Sequence, residues 1–153
     1  MPLYSVQTLY LTLTKGKPSK PHKACLKNPQ LVEKRVVLFK ARNVASAINK
    51  AEKEAIKYEK YVHINVFGQK VVTKYLGWIG WHLLFDEPAE GVEIFSLSEA
   101  RSERQTERAI LREALGKEYP LSQKKSREIR INFLDGELFP DPDRYINNKR
   151  REF

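Results

Sequence analysis

The residues of this 153-residue chain best suited to chemistry are three histidines, one cysteine and a short run of carboxylates. His22 and Cys25 stand two residues apart, a gap that suits a metal pair, but no second pair at zinc-finger spacing follows, and one pair alone binds metal weakly. His63 and His82 fall on consecutive predicted strands, where they could face one another as an acid and a base, although strand histidines more often close a local hydrogen-bond network. Asp135, Glu137, Asp141 and Asp143 gather near Pro140 and Pro142 without the D-x-[DN]-x-[DN]-G spacing of a calcium loop, so a solvated acidic stretch is the simpler reading. No phosphate-binding glycine loop, nucleophile elbow or H-E-x-x-H string occurs, and no cofactor is expected. A small hydrolase or nuclease would rest on the histidines and the carboxylate cluster alone.

Composition bounds what the elements around these residues can be. The length fits one core of ordinary size, 41% of residues are hydrophobic, and the single cysteine excludes an intramolecular disulfide. The stretches without charged side chains, Met1 to Thr14 and Tyr75 to Phe85, are both shorter than a bilayer-spanning helix needs, and no export signal is recognised. A cytoplasmic protein without membrane contact is the expectation. The net charge of +9 is uneven: residues 1–60 carry 13 basic and 4 acidic side chains, 61–99 carry 2 and 5, and 100–153 carry 13 and 10. That basic field favours anionic partners, with a plain solubility surface as the bland alternative.

Tyr4 to Thr14 is rich in β-branched and aromatic residues, with Tyr4, Val6 and Thr8 on one parity and Leu9, Leu11 and Leu13 on the other. A bulge near Gln7 or Thr8 would switch the inward face that way. Lys15 to Pro29 collects four helix-breaking residues and five lysines, Lys15, Lys17, Lys20, Lys23 and Lys27, and is expected to be a mobile basic loop. Leu31 to Ala41 returns to strand. Asn43 is a good N-cap, and Val44, Ala47, Ile48, Ala51, Ala55 and Tyr58 then fall on one helix face, with Lys50, Lys53 and Lys57 on the other. Val62 to Phe67 and Lys70 to Phe85 form a hairpin around Gly68 and Gln69, the second arm bent at Gly77 or Gly80, and Val92 to Leu97 reads as a final short strand.

The order strand, strand, helix, strand, strand, strand makes an α+β fold in which one amphipathic helix packs on an antiparallel sheet. Residues 1–99 are expected to form this core and 100–153 a basic helical appendage with a flexible tail. In the appendage, Ser96 and Glu99 have capping-box spacing, and Arg101 to Leu115 is predicted helical with Arg101, Arg104, Arg108 and Arg112 along one side. Its apolar residues lie in the second half, where Ile110, Leu111, Ala114 and Leu115 should anchor it on the sheet of its own chain or of a second copy. Gly116 and Pro120 end that helix, Ile129, Ile131 and Phe133 alternate as a short strand, and Pro140 to Phe153 reads as a loose tail.

Four pieces carry a resemblance: Tyr4-Ser5-Val6, the helix Ala47-Ile48-Asn49-Lys50-Ala51-Glu52, Asn65-x-x-Gly68-x-x-Val71, and Glu93-Ile94-Phe95-Ser96. Over roughly Leu3 to Leu97 the chain resembles the bacterial domain-of-unknown-function family numbered four-two-eight-eight. The resemblance implies a small α+β domain in a bacterial or phage protein and carries no activity. The lysine loop and the extension after Glu99 depart from the compact family pattern. From the residues themselves, Gly68 supplies a positive φ for the hairpin and the Asn65 amide ties its strand end to the turn.

Trp78, Trp81 and Tyr75 make one strand densely aromatic. Strand parity sets Tyr75 and Trp81 on one face and Trp78 on the other unless a glycine kink intervenes, leaving one tryptophan near the surface as a stacking platform or protein hot spot. Together these readings favour a non-enzymatic module that binds another protein, or a second copy of itself, through Trp78, Trp81, Ile110, Leu111 and Leu115. The alternative is nonspecific nucleic-acid binding through the five loop lysines, Lys50, Lys53, Lys57 and the four arginines.

Overall fold

The structure is a computed structural model that describes residues 1–98, 100–114 and 123–146. Its centre is a four-stranded antiparallel sheet of β1 (Leu3–Lys15), β2 (Gln30–Lys40), β3 (Val62–Ile64) and β4 (Lys70–Leu84), in the order β2-β1-β4-β3. Helix α1 (Val44–Tyr58) crosses one face. Asn43 caps it as expected: its backbone is extended and its side-chain oxygen accepts the Ser46 N–H at 2.9 Å. Ala47, Ala51 and Ala55 are wholly buried, and their small side chains let the helix lie close on Tyr4, Val6 and Tyr10 of β1.

The even residues of β1 face α1 along its whole length. Tyr10 is fully buried between Tyr58 of the helix, ring centroids 4.9 Å apart, and Tyr75 of β4 at 5.6 Å. Arg35 of β2 closes this cluster with its guanidinium 3.8 Å from the Tyr58 ring and within 3.4 Å of Glu54, while the Tyr58 hydroxyl donates to Glu33. Thr12 and Thr73 join hydroxyls across β1 and β4 at 3.0 Å. The expected switch of face within β1 therefore does not occur. Register shifts do fall at Gln7/Thr8 and Leu9/Tyr10, but the extra residues, Leu76 and Ile79, belong to β4, so the partner strand bends and β1 stays regular. Leu9, Leu11 and Leu13 consequently lie on the sheet face turned away from α1.

The chain after β4 differs from expectation in several places. Val92–Leu97 forms no strand; both sides of β1 and β4 are already paired, and the segment crosses the sheet end with Phe95 over Gly80 and Ser96 near His82. Helix α2 (Glu107–Ala114) starts later than predicted because Thr106 caps it, accepting the Ala109 N–H on its hydroxyl. Ile129 to Phe133 is not a strand: α3 (Gln123–Ile131) keeps Lys124, Lys125, Arg127 and Arg130 outward and delivers Ile131, Asn132 and Phe133 to the interior. A last turn, α4 (Asp143–Ile146), is held by His22 against Asp143 at 3.2 Å and by Phe139 edge-on to Tyr145. Glu99 of the expected capping box, Leu115, the helix end at Gly116 and Pro120, and the tail from residue 147 lie outside the described residues.

Nor is the lysine segment a free loop. Ser19 and Lys20 both donate backbone N–H groups to Phe67 O, Ala24 is buried, and Ala24, Val66, Phe67 and Ile131 form a second small core. Packing thus runs across the 99/100 boundary, with α3 completing a core begun by the N-terminal half.

Candidate functional site

The hairpin Asn65-Val66-Phe67-Gly68-Gln69 sits at the centre of that second core. Asn65 is buried, and its side-chain oxygen accepts the N–H groups of Phe67 at 3.0 Å and Gln69 at 2.8 Å, as its place beside the turn led one to expect. Its amide donates to Gln69 Oε1 and to Asn132 O at 2.6 Å. Gly68 has φ +80°, and a Cβ there would overlap Ser19 Oγ. Asn132, which nothing in the sequence singled out, accepts the Leu26 N–H and donates to Ala24 O and Glu128 O. Every polar atom of the two asparagine side chains is engaged, so the motif is a structural knot joining the lysine segment, the hairpin and α3.

The histidines are likewise spoken for. His63 lies beside Val71 at one end of β4, on the α1 side, whereas His82 lies beside Ser5 at the other end on the opposite face, so the two do not meet. His63 Nε2 bonds Phe133 O at 2.9 Å; His82 contacts Ser96 and Glu93. His22 Nδ1 accepts the Ala24 N–H while its other nitrogen meets Asp143. The Cys25 thiol, raised in pKa by burial, points to Gln69 Oε1 at 3.6 Å rather than joining His22 at a metal. Asp135 and Asp141 turn oxygens onto the N–H groups of Glu137 and Asp143, capping local turns. Among the described residues, no three metal-ligating side chains converge.

The aromatic strand corrects the parity expectation. Register sets Tyr75 opposite Tyr10, Trp78 opposite Thr8 and Trp81 opposite Val6, and those three β1 residues share the α1 face. The two bulges add one residue each, converting a spacing of three into a common face, and Gly77 makes the kink with φ +145°. The N–H of Tyr75 at the first bulge is taken by Glu59 Oε2 at 2.8 Å. Trp81 stacks edge-on to Tyr4, yet Trp78 and Trp81 are 42% and 44% exposed, so both tryptophans are at the surface beside α1. Ile110 and Leu111 are exposed as well. Among the described residues α2 touches no strand and no other helix; Arg101 and Gln105 bind Glu113 within the same segment, lowering its carboxyl pKa. Of the anchors expected to dock this helix on its own sheet or on a second copy, Ile110 and Leu111 face outward within the described residues, and Leu115 lies outside them.

The face opposite α1 escaped sequence reading. Across β2-β1-β4-β3 its rows are Val36–Gln7–Gly80, Lys34–Leu9–Gly77, Val32–Leu11–Lys74, Gln30–Leu13–Val72–Val62 and, at the end, Lys15–Lys70–Ile64. Among the described residues, Phe95 and its neighbours cover it at the Gly80 and His82 end. Val32 at 58% and Ile64 at 53% exposure, with Val36, Leu38 and Val62, leave an open aliphatic surface. The pattern was concealed because β2 exposes one side chain in two and looks, by alternation alone, like a strand with a solvated face.

The basic residues weighed for nucleic acid are exposed but spread out. Lys17, Lys20, Lys23 and Lys27 sit on the segment pinned to the hairpin and α3; Lys50, Lys53 and Lys57 line the outer side of α1; Arg104, Arg108 and Arg112 are on or beside α2. Lys15 ends β1 on the open face.

With the knot, the α1 packing and the closing Phe95-Ser96 segment described, the sequence comparison is direct: the profile of the family described as Domain of unknown function (DUF4288) matches residues 3–96. The chain belongs to that family. The match covers the sheet, α1 and the strap over Gly80, and ends before α2 and α3. No curated protein and no solved structure matches the chain at a significant level. No helix among the described residues is long and apolar enough to cross a membrane.

Proposed function

We propose that this protein is a non-enzymatic binding module whose open sheet face docks another protein. The observation behind this reading is the uncovered aliphatic surface made by Val32, Val36, Leu38, Val62 and Ile64 around Leu9, Leu11 and Leu13. Contiguous apolar surface of this kind on a folded domain usually marks an interaction site. The histidines with Asp135, Asp141 and Asp143 support the same reading, because each already serves a local hydrogen bond. Photo-crosslinking tests it: a benzophenone side chain placed at Val36, in cells that naturally make the protein, should give one adduct of defined mass, and the same label at Lys57 on α1 should not. Absence of any Val36-specific adduct counts against the reading.

Nucleic-acid binding is the second reading, supported by the way the lysine segment is clamped beside α3, with Lys124 and Arg130 exposed on that helix. Phosphate contacts release counterions, so affinity for a random duplex should fall by orders of magnitude between low and moderate salt. Salt-insensitive binding, or none at low salt, rejects it.

A further inference from the structure

Resting on the open-face reading, we infer that the partner presents an acidic, amphipathic helix. The strand positions on this face comprise Lys15, Lys34, Lys40, Lys70 and Lys74, and not one carboxylate. All five lysines are exposed. Glu33, the acidic residue of β2, points to the other side, where it accepts the Tyr58 hydroxyl. A second copy laid face to face would oppose lysine to lysine, which disfavours self-association here. Single-stranded nucleic acid needs aromatic stacking, and the uncovered rows offer no aromatic side chain; the tryptophans lie behind them.

The shape is specific too. Gly77 places no side chain on this face, and nothing lies within 4 Å of where its Cβ would be. Gly77 therefore opens one end of a diagonal that runs over Leu9 and Leu11 to Val32, with Lys34 on one side and Lys74 on the other. Those lysines are two strands and two residues apart, which standard sheet spacings convert to about 12 Å between Cα atoms. An α-helix with side chains is about 10–12 Å across, so one lying on this diagonal brings both of its flanks within reach of the two lysines. Its leucine-like stripe would rest on Leu9 and Leu11, and carboxylates flanking the stripe would meet both ammonium groups.

Labelled amphipathic peptides of one length, with a leucine stripe flanked by glutamates or by lysines, provide the probes for anisotropy titrations against the full chain. The glutamate peptide should bind, and the exposed double variant K34E/K74E, checked by circular dichroism for an unchanged melt, should weaken it by at least about tenfold. The same variant should gain affinity for the lysine peptide. Equal binding of both peptides to the wild type overturns the acidic preference while leaving the docking reading intact. Failure of both peptides, or binding unchanged by Leu11→Asp, overturns the inference and the docking reading together. Sedimentation with phosphatidylserine vesicles without binding of the glutamate peptide replaces the helix by a lipid surface.

Discussion

Asn132→Ala is the sharpest test of how the chain is held together, because the residue lies outside the family match yet is fully buried. Its side chain accepts the Leu26 N–H at 2.9 Å and donates to Ala24 O at 3.1 Å and Glu128 O at 2.8 Å. Alanine removes all three bonds. The Glu128 carbonyl is in a helix and loses little, but the Leu26 N–H and Ala24 O are left without partners beneath the surface, each costing about 1–3 kcal/mol. Water entering the vacated volume offsets part of this, so a net loss of about 2–4 kcal/mol is expected. For a domain of this size that lowers Tm by roughly 10 °C. Scanning calorimetry on the full chain measures it, with Leu111→Ala on exposed α2 as a control that should stay within about 1 °C of wild type. An Asn132→Ala melt indistinguishable from the control would mean that α3 does not complete the second core, and the knot would have to be redrawn without it.

Other outcomes follow from single contacts. Gly136→Ala should destabilise by about 2 kcal/mol or more, since its Cβ would lie 2.7 Å from the backbone oxygen of Asn65; chemical denaturation reads this directly. Burial and the hydrogen bond to Glu33 push the Tyr58 pKa up from 10.0 to about 12. Its contribution is therefore present below pH 10 and lost as pH rises through 12, by at most about 2 kcal/mol, and Tyr58→Phe should lack both this window and the late-titrating tyrosinate absorbance. Both tryptophans should be readily quenched by acrylamide in the native state, and Trp78→Ala should change stability by less than about 1 kcal/mol.

Much of the architecture could be read from local chemistry. The α1 stripe of alanines behind Asn43, the hairpin at Gly68 and the role of Asn65 all depend on residues within five positions of one another, where spacing is enough. What failed involved partners distant in sequence. Ile129, Ile131 and Phe133 alternate like a strand, but a helix ending at Ile131 lets Asn132 reach Ala24 and Leu26 more than a hundred residues upstream. The lysine segment looked free because its composition cannot build a core alone; it is ordered by donating N–H groups to Phe67 O and by seating Ala24 against Ile131.

The same distinction explains the site. A bulge changes which residues share a face without changing composition, so the position of the register shift was legible near Gln7 and Thr8 while the strand carrying the extra residues was not. Moving it from β1 to β4 has two effects at once. It brings Trp78 and Trp81 together beside α1, and it leaves Leu9, Leu11 and Leu13 on the uncovered face with Gly77 between the lysines. Had the bulge lain in β1, those leucines would have faced the helix and β1 would have offered Tyr10 and Thr12 to the open face in their place. The docking surface is thus a consequence of which strand took the two extra residues. Deleting Ile79 alone should therefore cost little more than one side chain. Trp78 and Gly80 would become neighbours opposite Thr8 and Gln7, which already alternate, so both faces keep their residues. Retained peptide binding is the expected result. Loss of binding with an unchanged melt would show that the faces depend on the bulge itself.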